Sequence, residues 1–360
     1  MARDTNPELK ELWDKGIDVY SITRLDTINH CMAEAKYNYI DHLPKDENVY
    51  SFLGSKIHDK LEQITNGVGT KQELLPTLNN ALNSMDMFGI KFPASRDGSD
   101  SIRTNYIEDM ENFCLTYDPE WGDKLKAEQF VLYKTPNGNY CQGYIDLIEY
   151  LDDKTINIYD YKTSSRYSKA DIESHRRQLI VYAMAMEQKG YKVNQIAWIF
   201  LKYAQLKYYG YKTSKSKEKS LITKVVERRK IGEILAPLIE EDLKQFGYDP
   251  YEYITKLLET NSLIGMPAEI LKRYEIHLDI EPAELSGETK QECMNYIDDT
   301  IEKWNNAKEY PPKDFYKYSS TGKKSEDTFY CACLCDFSDK CEYYKAFRKP
   351  DLSDEERLFD

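Results

Sequence analysis

Two strand-like runs joined by a three-residue turn constrain this chain more than any other stretch. Tyr144–Leu151 and Thr155–Lys162 are both rich in β-branched and aromatic residues, and Asp152-Asp153-Lys154 between them has turn chemistry. If those three residues are the loop, Tyr150 pairs with Ile156, Ile148 with Ile158, and Asp146 with Asp160. Two carboxylates then face each other across the ladder, with Cβ atoms about 5 Å apart. Side chains alternate along a strand, so Lys162 shares the face of Asp160. Opposed carboxylates repel and weaken a sheet. A divalent cation between them relieves the repulsion, and oxygen donors of this kind suit magnesium or manganese. A slip of one residue would make the pair diagonal and weaken the argument. Asp-x-Lys alone is a common accident, so the surroundings decide its meaning.

Composition sets the frame. The chain has 360 residues, 41% of them hydrophobic, enough for two average domains or one large elaborated one. No apolar run reaches bilayer length, and the first residues do not read as a signal peptide, so the expectation is a soluble, cytoplasmic protein without a membrane partner. The net charge of −13 does not advertise a nucleic-acid binder, but a local basic groove can exist on an acidic protein. Eight cysteines without a secretory signal do not suggest a disulfide framework. Cys331, Cys333, Cys335 and Cys341 crowd together, whereas Cys114, Cys141 and Cys293 read as ordinary buried thiols.

Along the chain, residues 7–16 read as a short helix. Ser21 or Thr23 caps a second one that carries Leu25 and Ile28 on one face and ends at Cys31. Ser51–Glu62 reads as a helix with Gly54 and His58 on one face. A small residue one turn from a histidine admits close approach by another segment, and Glu62 is a candidate to orient the imidazole. The competing reading is a surface histidine on an amphipathic helix. Residues 71–92 and 101–117 look helical. Glu128–Tyr133 is a strand and Pro136–Asn139 a hairpin turn, so three hairpin-linked strands are expected. A helix over 170–188 sets Gln178 and Tyr182 four apart, and Gln195–Lys202 is a strong strand. This order predicts an α/β chain with a mixed sheet covered by helices. Residues 205–230 hold the one marked basic concentration, including Lys207, Lys212, Lys215, Lys217 and Lys219. They are candidates for phosphate contacts, against the default of a solvated loop. Residues 231–275 read as helices with an apolar stripe of Ile231, Ile234, Leu235, Leu238 and Ile239, and 288–306 as another helix.

Taken together, Gly54-x-x-x-His58 with Leu61-Glu62, Gly143-x-Ile145-Asp146, Asp160-Tyr161-Lys162-Thr163 and Gln178-Leu179-x-x-Tyr182 form an ordered set. Add Cys31 near the start and three cysteines near the end. The set resembles the RecB-like branch of the PD-(D/E)xK nucleases that carries an iron–sulfur staple, a branch that includes AddB-type subunits and CRISPR-associated exonucleases. The resemblance covers nearly the whole chain except residues 205–285. It implies a restriction-endonuclease-like mixed central sheet flanked by helices, in a single elaborated nuclease domain. The sheet core would span about 125–204 with a helical and basic insertion over about 205–285, and a cysteine-ligated cluster would join segments 17–65 and 286–345. It also implies Mg2+ or Mn2+ held by Asp146, Asp160, His58 and the Tyr161 carbonyl. Lys162 would orient or activate a water and stabilise developing charge, and Gln178 and Tyr182 would position Lys162, the water or the DNA. Glu128 is a further candidate for support.

The branch's C-terminal cysteines usually run C-x-x-C followed by five residues and C. Here Cys335 and Cys341 keep the second spacing, but position 332 is Ala332, so Cys331 or Cys333 must substitute, with Cys331 preferred. The implied centre is a [4Fe-4S] cluster on Cys31, Cys331, Cys335 and Cys341, with zinc as the alternative because four thiolates suit either. The implied function is a metal-dependent DNA exonuclease acting on single-stranded or frayed ends. No helicase motif is present, so any unwinding would come from a helicase or recombination partner. Two rivals stand beside it: a catalytically inactive DNA-binding subunit of the same fold, and a redox or zinc protein centred on its cysteines.

Overall fold

The computed structural model describes residues 6–95, 98–119, 121–122, 124–210, 220–319 and 321–348. In chain order they begin with α1 (Pro7–Asp14), β1 (Val19–Tyr20), α2 (Ile22–His30), α3 (Met32–Tyr39), α4 (Val49–Thr65), α5 (Leu74–Phe88) and α6 (Ser101–Thr116). There follow β2 (Leu125–Lys134), β3 (Tyr140–Tyr150), β4 (Thr155–Lys162), α7 (Ile172–Gln188), β5 (Lys192–Gly210) and β6 (Ser220–Glu227). Then come α8 (Ile231–Gln245), α9 (Pro250–Thr260), α10 (Ala268–Leu271), β7 (Tyr274–Ala283) and α11 (Gly287–Asn305). Last are β8 (Tyr316–Tyr318), β9 (Lys324–Glu326), α12 (Phe329–Cys333) and α13 (Glu342–Arg348). The chain divides into two compact units, one of Met1–Asn48, Leu132–Gly143 and Ser286–Asp360, the other of Val49–Val131 and Tyr144–Leu285. Among the described residues no helix is long and apolar enough to cross a membrane.

The second unit is built on mixed strand pairing. β3 and β4 are antiparallel, with Leu147 opposite Tyr159, Ile148 opposite Ile158 and Tyr150 opposite Ile156, the register the turn predicts. The turn is fixed by Asp152, whose Oδ1 accepts from the amides of Lys154 (2.8 Å) and Thr155 (2.7 Å). β4 runs parallel to β5, which requires a crossover, and α7 supplies it. β5 pairs antiparallel with both β6 and β7. Alternation then sorts the faces. Phe52, Leu53 and Ile57 of α4, Leu78 and Met85 of α5 and Phe113 of α6 share one core with Leu147, Tyr159, Tyr161, Ala197 and Ile199. The alternate positions of β4, Ile158, Asp160 and Lys162, therefore turn to the other face, and α7 packs on β4 and β5. Ile231, Leu235 and Ile239 of the expected stripe form a second core with Leu206, Tyr208 and Tyr274.

Two expectations need correction. Helix does not continue to residue 275, because β7 starts at Tyr274. The alternation of Tyr274, Ile276, Leu278 and Ile280 with polar residues is a strand period that a helical reading overlooks. The basic stretch is also no plain loop where it is described. Lys207 lies half-buried on β5, opposite Thr223 of β6 and Glu275 of β7, and Arg228 is buried against the carbonyl of Leu201. Lys212, Lys215, Lys217 and Lys219 lie outside the described residues.

In the first unit, β1 pairs in parallel with the start of β3, Val19 opposite Tyr140. Ser21 caps α2 by accepting from the Arg24 amide (3.1 Å), and α2 buries Leu25 and Ile28 before ending at Cys31. Ser286 is the N-cap of α11 in a reciprocal capping box with Thr289. α11 is tied to α2 by Tyr296 to Asp26 (2.6 Å) and Asn29 to Thr300 (2.6 Å). Asp298 of α11 accepts from Thr135, Asn137 and Asn139, which fixes the β2–β3 turn.

Candidate active site

All the carboxylate-site residues named from sequence lie in the second unit. The β3–β4 ladder ends at Leu147 and Tyr159, one pair short of Asp146 and Asp160. There the Asp146 carboxylate takes over as acceptor, and its Oδ2 receives the Tyr161 amide at 2.8 Å. The same oxygen stands 3.4 Å from His58 Nδ1. The imidazole is thus held by Asp146, not by Glu62. Gly54, one turn before His58, has a steric reason to be glycine: a Cβ there would lie 3.1 Å from Thr163 Oγ1. The glycine lets the end of β4 approach α4, as its spacing suggested.

Lys162 Nζ lies 2.6 Å from Asp160 Oδ2 and donates to Gln178 Oε1 at 3.1 Å. Gln178 Nε2 in turn donates to the Tyr182 hydroxyl at 2.8 Å, so α7 presents a relay with i, i+4 spacing. Asp160 is 3% exposed, and its Oδ2 has no hydrogen-bond partner beyond the ammonium contact. Burial, with Asp146 beside it, pushes Asp160 up to about 6 despite Lys162. Burial works to raise Asp146 too, but His58, Lys162 and the Tyr161 amide outweigh it and hold that carboxyl low. Burial alone would lower His58, yet the two aspartates leave it above the usual histidine value. Lys162 behaves likewise: burial opposes its charge, but Asp160 chiefly, then Tyr167, raises it above an ordinary lysine. The lysine is therefore protonated across the physiological range.

Three neighbours escaped the sequence reading or were underweighted by it. Glu128 sits in β2 with φ 47, a left-handed backbone that costs a non-glycine residue about 1 kcal/mol or more. Its charge contributes to the raised pKa of Tyr182, which burial dominates. Tyr167 and His175 stack beside Lys162, and no spacing rule announces that pair.

Among the described residues, no three His, Cys, Asp or Glu side chains are gathered closely enough to hold an ion as they stand. The donor chemistry nevertheless fits a hard cation. A buried carboxylate, Asp160, and a half-buried one, Asp146, converge, and one oxygen of Asp160 is satisfied only by an ammonium. In the first unit, Cys31, Cys331, Cys335 and Cys341 line one cavity of about 20 Å3, together with Glu34, Tyr37, Lys313 and Tyr330. Cys333 is not among its walls. All eight cysteines are free thiols. Burial pushes Cys331 up to about 11, with Cys31 and Cys341 adding to the effect against Lys313, and it raises Cys31 and Cys335 as well. The amides of Lys313 and Tyr344 point at the sulfurs of Cys31 and Cys341, both at 3.4 Å. Four soft donors around one small cavity, with amides to stabilise thiolate, fit a thiolate-bound metal centre.

The site and its surroundings define a hydrolase of the nuclease type. The family model of the PD-(D/E)XK nuclease superfamily matches residues 19–342, and the chain belongs to that superfamily. Membership implies a nuclease-type phosphodiester hydrolase with DNA as substrate, in a family that typically uses Mg2+ or Mn2+. A mixed sheet flanked by helices is consistent with a restriction-endonuclease-like fold. Among curated proteins no relative matches.

Proposed function

We propose that the chain is a Mg2+- or Mn2+-dependent deoxyribonuclease of the RecB-like branch, working as an exonuclease on single-stranded or frayed DNA ends. The observation that carries this is the convergence of His58, Asp146, Asp160, Lys162, Gln178 and Tyr182 on one patch. Asp146 and Asp160 would hold the cation, joined by His58 and the Tyr161 carbonyl. When bound, a divalent cation supplies a water of lowered pKa and offsets charge on the scissile phosphate. The rest falls to the chain. Lys162, protonated while it is paired with Asp160, supplies a positive charge and a donor toward the phosphate oxygens and the attacking water. Gln178, steadied by Tyr182, holds that ammonium in one place. Lys162 contacts only Oδ2 of Asp160, so the aspartate would hold the cation beside the ammonium.

The thiols of Cys31, Cys331, Cys335 and Cys341 bind an inorganic centre, a [4Fe-4S] cluster in the reading we favour and zinc otherwise, with a structural role. The basic run from Lys207 through Lys212, Lys215, Lys217 and Lys219 contacts DNA phosphates. Processing of ends in recombination or repair, alongside a helicase partner, is the setting this activity suits.

The test is purified chain with Mg2+ or Mn2+ on end-labelled single-stranded and duplex DNA. Asp146→Ala, Asp160→Ala and Lys162→Ala should each cut cleavage by about 100-fold or more and leave the fold intact. Unchanged cleavage by Asp160→Ala, with contamination excluded, would refute the assignment.

A further inference from the structure

Lys162 stands next to an aromatic stack that the chemistry above does not use. The rings of Tyr167 and His175 lie parallel, with centroids 3.7 Å apart and planes 9° apart. Tyr167 is braced from beneath: Trp198 and Phe200 meet it edge to face at 5.2 Å each. The residue before it, Arg166, is anchored to Asp279 at 3.1 Å and to Glu281 at 2.7 Å. His175, by contrast, is exposed. One face of its ring is covered by Tyr167, so the exposed part is the remaining face and edge. It lies three residues before Gln178 on α7, hence on the same helical face as the side chain that holds Lys162. Lys162 is near enough to add to the partial burial that keeps the His175 pKa below the usual histidine value, so the ring is a neutral aromatic.

A rigid, braced stack that ends in an open aromatic ring is costly to leave bare and suited to a flat apolar ligand. Every nucleobase has such a face. We propose that Tyr167 and His175 form a nucleobase platform, on which a base beside the scissile phosphate of single-stranded DNA stacks against His175. A paired base inside a duplex cannot offer its face in this way, so the platform favours single strands and frayed ends. This inference rests on the nuclease reading and deepens it by naming what selects the strand.

The test compares intact oligonucleotides with ones carrying a single abasic position stepped along the strand. His175→Ala should lower kcat/KM on single-stranded DNA about tenfold, the loss of one base–aromatic stack, while His175→Phe keeps most of it. On the oligonucleotide whose abasic position meets the platform, wild type should already show that loss, and His175→Ala should add nothing. With 2-aminopurine at that position and EDTA present, binding to wild type should quench fluorescence and binding to His175→Ala should not. Equal loss by His175→Ala on intact and all abasic strands would mean a structural role and overturn the platform while the nuclease reading stands. Full activity of His175→Ala would overturn it too. A wild-type chain that neither binds nor cuts DNA would defeat both.

Discussion

Replacing Gly54 by Ala separates stability from positioning. Gly54 is buried within α4, where alanine is the better helix former by about 1 kcal/mol. The new Cβ would meet Thr163 Oγ1 at 3.1 Å, about 0.3 Å inside ordinary contact. Thr163 follows Lys162 directly, so a push on it is a push on the end of β4. Misplacing a reacting group by 1 Å costs about 100-fold, so a few tenths of an ångström should cost about fourfold if the loss scales smoothly. The expected Gly54→Ala enzyme is therefore as stable as wild type, or up to about 2 °C more so, yet several-fold slower in kcat with little change in KM. Thr163→Ala in the same chain removes the atom that is struck and should restore most of the rate. Melting curves and single-turnover cleavage of a labelled strand read both quantities. A fully active Gly54→Ala enzyme would show that the close approach does not control Lys162. A fall of several degrees would show that the clash cannot relax and that it outweighs the gain in helix propensity.

His58→Ala should weaken Mn2+ binding, measured by calorimetry, and slow cleavage; unchanged affinity would remove His58 from the ligand set. Replacing Lys212, Lys215, Lys217 and Lys219 with Gln should flatten the dependence of log affinity on log salt by about 0.7 for each phosphate no longer neutralised on single strands; an unaltered slope would make that run a solvated segment. Asp279 is pushed up to about 6, by burial first and against Arg166, well above its value of about 3.9 in an unfolded chain. The folded state therefore holds that proton more tightly, and the stability it contributes is present below about pH 4 and lost as pH rises to about 6. Asp279→Asn should then gain in melting temperature relative to wild type between pH 4 and pH 7, and a pH-independent difference would contradict this. Cys31→Ala and Cys331→Ala should each lose the iron or zinc and lower the melting temperature, whereas Cys333→Ala, outside the cavity, should keep both; loss of metal from Cys333→Ala would reassign the ligand.

What could be read from sequence was what local geometry fixes. The turn at Asp152–Lys154 sets the β3–β4 register, so Asp146 and Asp160 could be matched from spacing alone. Helical spacing paired Gly54 with His58 and Gln178 with Tyr182 for the same reason. What could not be read arises from contacts that no period records. Tyr167 meets His175 because a loop after β4 folds onto the first turn of α7. Arg166 finds Asp279 across 113 residues of sequence. Glu128 draws its backbone into the left-handed region, which glutamate does not announce. β7 was hidden because one of its faces is polar throughout, with Glu275 and His277 exposed, Asp279 buried and Glu281 half-buried, between single apolar positions.

The two candidate metal sites pose one physical problem, each within its own unit. Acids that would repel when ionised are gathered and largely screened from water: Asp146 with Asp160, and Cys31 with Cys331, Cys335 and Cys341. Without a cation the cheapest answer is a proton, which is why Asp160 rises to about 6 and Cys331 to about 11. Lys162 lends part of the missing charge at the first site, and Lys313 does so at the second. A metal that bound at either site would displace such protons and add stability by mass action. The two lysines sit in different settings. On the nuclease reading, Lys162, held by Gln178, faces the substrate, where a positive charge has chemical use. Lys313 stays fixed by Asp327 at 3.3 Å and by its own amide on Cys31. A metal on the four thiols would join segments about 300 residues apart in sequence, where loop closure restrains the unfolded chain strongly. On the nuclease reading the carboxylate site must take and release its cation, and at neutral pH an acid raised to about 6 is still mostly ionised and open to one.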